Sequence, residues 1–111
     1  MSGIPKRYQE LFSRFPAVGN AYEALGNAVH EAGPLDDRTR ALVKVAVSTG
    51  ARLDGAIRSH IRKARAAGIT HEELVHVVLL SLPTIGFPAM MSALKAVDEV
   101  MQPAPGSERS R

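Results

Sequence analysis

The chain has no cysteine and no tryptophan among its 111 residues, and aromatic residues make up only 5% of it. Without cysteine, disulfides, thiolate metal ligands and a thiol nucleophile are excluded. With few aromatics, the core must come from Leu, Val, Ile, Ala and Met, a set suited to close helix–helix packing. The same shortage removes the stacking platforms on which single-stranded nucleic acids are held. An isoelectric point near 9.7 therefore carries little weight. The net charge is only +3 and two arginines lie in the last three residues, so no nucleic-acid partner is expected. No charged-then-apolar leader opens the sequence. The longest apolar run, "LVHVVLLSLPTIGFPAMM", is interrupted by His76, Pro83, Gly86 and Pro88. Neither a membrane span nor a secretory address is expected, and the protein is read as cytoplasmic.

Apolar residues at 45% and charged residues at 23% indicate one ordinary globular domain with one core. Residues 1–102 read as a helical domain. Residues 103–111, "PAPGSERSR", read as a disordered tail by composition. Helical periodicity dominates and no segment sustains the alternation of a strand. The expected fold is all-α, with about six helices.

The first helix is expected to begin near Pro5, carrying Tyr8, Leu11, Phe12 and Phe15 at helical spacing, until Pro16 breaks or restarts it. The second carries Val18, Tyr22, Leu25 and Val29 on one stripe and ends by Gly33 and Pro34. Asp36 or Asp37 caps the third. Leu42, Val43, Val45, Ala46 and Val47 make that helix apolar over most of its circumference, with Lys44 the exception. A helix buried on several sides in so small a domain is most simply packed against a second subunit. A homo-oligomer is therefore expected.

The stretch "GARLDGAIRSHIRKARAAG", residues 50–68, reads as a single amphipathic helix. Leu53, Ala56, Ile57, His60, Ala64 and Ala67 share one stripe, and Arg58, Arg62 and Arg65 another. Gly68 ends it in the left-handed position. Thr70 and Glu73 stand at capping-box spacing before the next helix. After a turn at Pro83, Gly86 and Pro88, the last helix points Met90, Ala93, Leu94, Val97 and Met101 inward.

The ordered strings "LDDRTRALVKVAVSTG", "HIRKARAAGITHEELVHVVLLSL" and "GFPAMMSALKAVDEV" resemble the carboxymuconolactone decarboxylase family, which includes the alkylhydroperoxidase D-like proteins. The resemblance covers about residues 34 to 101. It implies an alkylhydroperoxidase D-like helical fold and a symmetric assembly, commonly a trimer or hexamer. The peroxidase branch of that family carries C-x-x-C-x-x-x-H and a helper glutamate twelve residues before the first cysteine. The matching positions here are Leu53, Ala56, His60 and Ala41. Only the histidine remains, so a thiol peroxidase is excluded as an autonomous activity. The decarboxylase branch needs no cysteine and keeps a histidine matching His60. Its reaction needs a group to hold a carboxylate, stabilisation of enolate-like charge and a proton donor.

His60 is accordingly the catalytic candidate, as proton donor or acceptor in an apolar pocket. Arg52 is a candidate to hold a carboxylate over the pocket mouth. Leu53 and Ala56 are candidate pocket wall, and the expected ligand is a small organic acid or lactone. The other reading is a non-catalytic oligomeric scaffold or ligand-binding module in which His60 is a packed core residue. His71 and His76 are five residues apart and point to different faces, while His30 reads as serving the end of its helix. No metal and no cofactor are expected.

Overall fold

A computed structural model describes residues 6–101. The expected start at Pro5 and the tail 103–111 lie outside the described residues, as does the side chain of Tyr8. Seven helical segments run in order: α1 (Lys6–Arg14), α2 (Pro16–Glu31), α3 (Asp37–Gly50), α4 (Asp54–Ala66), α5 (His71–Leu79), α6 (Leu82–Ile85) and α7 (Phe87–Met101). Among the described residues there is no strand, and no helix is long and apolar enough to cross a membrane. The seventh segment beyond the expected six is α6, a single turn where a bare Pro–Gly–Pro turn was expected.

The core lies where α3, α4, α5 and α7 meet, with α3 against α4 and α7 against both α4 and α5. Val45, Ile61, Leu74, Val78 and Val97 are its largest fully buried side chains. Along α4 the inward face is Ile57, Ile61 and Ala64. Along α7 it is Met90, Ala93, Ala96 and Val97. Burying an aliphatic side chain of this kind contributes about 1.5–3 kcal/mol relative to leaving it in water.

Caps fix the helix starts. The Asp36 carboxylate accepts from the Thr39 amide at 2.8 Å, so Asp36 caps α3. At α5 the capping box is complete. The Glu73 amide donates to Thr70 Oγ1 at 3.1 Å, and the Thr70 amide donates to Glu73 Oε1 at 2.8 Å. Arg38 of α3 also reaches the Glu73 carboxylate, tying the first turns of the two helices together. That guanidinium is the main cause of a Glu73 pKa lowered to about 2.

The stretch 50–68 is not one helix. The chain leaves α3 through a turn at Ala51–Leu53 and enters α4 at Asp54. The Leu53 amide donates to the Ser48 carbonyl at 3.1 Å and the Arg52 amide to that of Thr49 at 3.2 Å. This pair of bonds is a Schellman ending, which places Arg52 in the left-handed region at φ 59°. Four residues after α4 begins its last turn, the same motif recurs with the residue it prefers. Ile69 bonds back to Ala64 and Gly68 to Arg65, both at 3.0 Å, with Gly68 at φ 90°.

The α1–α2 pair packs chiefly on itself. Gly19 allows the close approach: a Cβ there would stand 2.8 Å from the Phe12 ring. The expected stripe of α2 faces outward, with Val18, Tyr22, Leu25 and Val29 each more than half exposed. The apolar circumference of α3 is likewise only partly covered, leaving Val47 62% exposed.

Candidate active site

Helical spacing explains the site. On α3, residues Asp37, Arg40, Ala41 and Lys44 recur at i, i+3, i+4 and i+7, and so share one face. On α4, His60 and Lys63 share a face with Ala67 just beyond its end. The two stripes meet across the α3–α4 contact, and His30 on the last turn of α2 closes the third side. Together these eight residues line an open cavity of about 240 Å³. That is below the ~300–1,000 Å³ typical of drug-sized ligands and suits a small molecule.

His60 is half-buried at the edge of the α4 core face. It is neither fully packed nor fully exposed. Its neighbours are cationic. Burial lowers its pKa, and Lys63 and Lys44 lower it further. The His30 pKa is lowered too, chiefly by Lys44, with burial and Arg40 adding to the effect. Lys44 itself is pushed down by burial, then by Lys63 and Arg40. Two neutral imidazoles thus face three cations at neutral pH.

Among the described residues, neither Lys44 nor Lys63 forms an ion pair with a carboxylate. Arg40 does: it binds the Asp37 carboxylate and the Leu35 carbonyl. Two buried nitrogens on cavity residues, His30 Nε2 and Arg40 Nε, have no hydrogen-bond partner. Buried polar atoms without partners are rare, and each calls for one.

The other sequence candidates are placed elsewhere. Arg52 and Leu53 line a separate crevice of about 10 Å³ with Ser48, Thr49, Asp54, Ile57 and residues of α7. The Schellman turn that ends α3 puts Arg52 there. Leu53 is about half exposed, and Ala56, partly buried, is absent from the lining of the His60 cavity. The cationic groups that line the cavity with His60 are Lys44, Lys63 and Arg40. His30 lines the cavity from the last turn of α2. Ala41, which matches the helper-glutamate position, does line the cavity with His60, so that pairing by resemblance holds in space. The stripe Asp37–Arg40–Ala41–Lys44 was readable at helical spacing, although Lys44 alone looked like an exception on an apolar helix.

Away from this cavity, His71 Nε2 lies 2.8 Å from Asp98 Oδ1, and Arg58 pairs with Glu99 at 2.7 Å. Both pairs pin α7 from outside. Met91 lines a broad open groove along α7 with Pro88, Leu94 and Lys95, while Met90 is core. Among the described residues no group of His, Asp or Glu is arranged to hold a metal ion.

Comparison with known proteins identifies relatives of this chain. An uncharacterized protein of Haemophilus influenzae is 36% identical over 63 residues, covering 57% of this chain and 56% of that protein. The chain thus matches little more than half of that relative's length. The "Uncharacterized protein 4 in cox locus" of Paracoccus denitrificans is 30% identical over 81 residues, 73% of each chain. The sequence model of the carboxymuconolactone decarboxylase family matches residues 16–99, which takes in α2 through most of α7 and every residue of the cavity. The chain belongs to the carboxymuconolactone decarboxylase family.

Proposed function

We propose that this protein is a non-redox member of its family that binds, and turns over, a small organic acid or lactone in the cavity around His60. The observation that carries this reading is the placing of Lys44 and Lys63, neither ion-paired among the described residues, beside a half-buried histidine. A carboxylate entering the cavity relieves the mutual repulsion of the two ammonium groups and gains a charge-assisted hydrogen bond, worth about 1.5–3 kcal/mol. Arg40, anchored by Asp37 and Leu35, adds positive potential without having to move. The same cations are placed to stabilise enolate-like charge as it develops.

His60 is the proton-transfer group of this scheme. Held neutral at rest by burial and by its cationic neighbours, it begins as an acceptor. It becomes a donor once it has taken a proton from the substrate or the solvent. Cysteine chemistry has no part, because Leu53 and Ala56 stand at the positions of the redox motif.

A thermal-shift screen of small carboxylates and lactones tests the reading, run on wild type and His60→Gln. A ligand that binds only the folded state raises Tm by mass action. The expected result is a carboxylate that stabilises wild type, with the response reduced in a folded His60→Gln variant. No response to any acid or lactone, with His60→Gln merely lowering Tm, would overturn it.

Self-association is proposed alongside. It is supported by the outward apolar stripe of α2, formed by Val18, Tyr22, Leu25 and Val29, and by exposed Val43 and Val47 on α3. Outward apolar stripes of this kind mark an interaction face. A symmetric homo-oligomer, a trimer or hexamer, is expected by light scattering. A monomer at micromolar concentration would contradict this, and would leave the cavity reading to stand alone.

A further inference from the structure

We propose that His30 is a second ligand-contacting histidine of the cavity, and that the anion accepted there, through carboxylate or tetrahedral oxyanion oxygens, enters together with a proton. This rests on the reading of the cavity as an acid-binding site. It adds a residue from a different helix and a proton linkage.

The geometry comes first. His30 is on the last turn of α2 and faces a cavity otherwise built by α3 and α4. Its Nε2 is buried and has no hydrogen-bond partner. Among the described residues no group satisfies that nitrogen, and in the proposed complex the ring turns to present it to a ligand oxygen in the cavity. Arg40 Nε, on the same cavity, is in the same condition.

The charges facing His30 come next. From α3 they are Asp37, Arg40 and Lys44, and from α4 they are His60 and Lys63. Among the described residues, neither α1, α5 nor α7 supplies a lining residue. Asp37 is taken up by Arg40. The cavity is therefore net positive, and each histidine resists a further charge.

An anion reverses that balance. It offsets Lys44 and Lys63, and its oxygen needs an N–H at Nε2, not a lone pair. A protonated imidazole always presents one. Anion and proton thus favour each other, and by linkage the effect is reciprocal.

Calorimetric titration of the full chain tests this, with succinate as the carboxylate probe and sulfate as the tetrahedral probe. Both are fully ionised at pH 7, so any proton taken up goes to the protein. Repeating each titration in two buffers of different ionisation enthalpy reads the number of protons absorbed. The expected result is net uptake and an affinity that strengthens as pH falls from 8 to 6, by at most about tenfold per pH unit for each coupled proton. Preference between the probes tells which oxyanion the cavity takes.

His30→Asn keeps a hydrogen-bond donor but cannot titrate in this range, so it should lose uptake and weaken binding. His76→Gln, on the exposed side of α5, should change neither. As a check that needs no variant, the His30 ring-proton NMR titration in wild type should shift to higher pH when succinate is added. Binding without proton uptake, or His30→Asn matching wild type in uptake and affinity, overturns the inference and leaves the acid-site reading intact. Failure of both anions to bind at tens of millimolar overturns the two together.

Discussion

Lys44 on α3 and Lys63 on α4 line the same cavity, and among the described residues no carboxylate pairs with either. Two ammonium groups held without counter-charge oppose folding rather than assist it. Their arrangement makes sense as preorganised binding potential, with the repulsion released when an anion arrives. The lysines add to the lowering of the His30, Lys44 and His60 pKa values, Lys44 being the first cause at His30 and burial the first at Lys44 and His60.

Lys44→Met should raise the pKa of both histidines. The larger rise is expected at His30, where Lys44 is the first cause of the lowering. NMR titration of the imidazole ring protons reads this directly. Equal and unchanged titration curves in the variant would mean that the lysine does not face the histidines.

Stability should fall as pH drops below about 6.5, the ordinary histidine value from which His30 and His60 are lowered. Between that value and the lower folded-state pKa, the unfolded chain binds more protons, so acidification favours unfolding. A second loss should follow below the ordinary carboxylate range, as pH falls from 4.5 toward the Glu73 value of about 2. Urea midpoints across this range would resolve the two steps. His30→Asn with His60→Gln should remove the first step and leave the second.

The glycines of α2 should respond in opposite directions. Gly26→Ala meets no atom within 4 Å and should gain about 0.8–1 kcal/mol of helix propensity. Gly19→Ala places its Cβ 2.8 Å from the Phe12 ring. Overpacking of this kind costs about 1–3 kcal/mol, so the propensity gain should be cancelled or exceeded. Chemical denaturation of the two variants side by side provides the comparison.

Arg52→Gly should stabilise the protein by roughly 1 kcal/mol, because an L-residue in the left-handed region carries a penalty of about that size. Arg52 is where the reading of the sequence and the structure part. Gly50 and Gly55 flank the α3–α4 turn but sit within helices, and an arginine occupies the position where a glycine signals a helix end. With no stop signal to read, residues 50–68 look like one helix. The arginine then lies on the helix of His60, near its start and over the mouth of the pocket. At Gly68 the same motif carries the glycine it prefers, and that boundary was legible.

Other features were legible for clear reasons. The Asp36 cap and the Thr70–Glu73 box are local, and three-residue spacing is enough to find them. The all-α class follows from periodicity sustained along the whole described chain. His60 and Ala41 were paired through the family resemblance, and the structure brings them to one cavity. What remained hidden is long-range. Nothing in "LGNAVHE" indicates that the end of α2 delivers His30 to a cavity built by two other helices. Likewise, Lys44 acquires its meaning only from Lys63, nineteen residues further along the sequence.

The most direct test of the account is carboxylate binding at pH 7 by wild type, by Lys44→Met with Lys63→Met, and by Arg52→Gly. Removing the two ammonium groups relieves repulsion, so the double variant is expected to fold. The account predicts that the double variant loses succinate binding by tenfold or more, the loss of about 1.4 kcal/mol or more expected when charged hydrogen bonds are removed, while Arg52→Gly binds as wild type does. Binding that survives loss of both lysines and disappears with Arg52 would place the site at the α3–α4 turn and contradict the account.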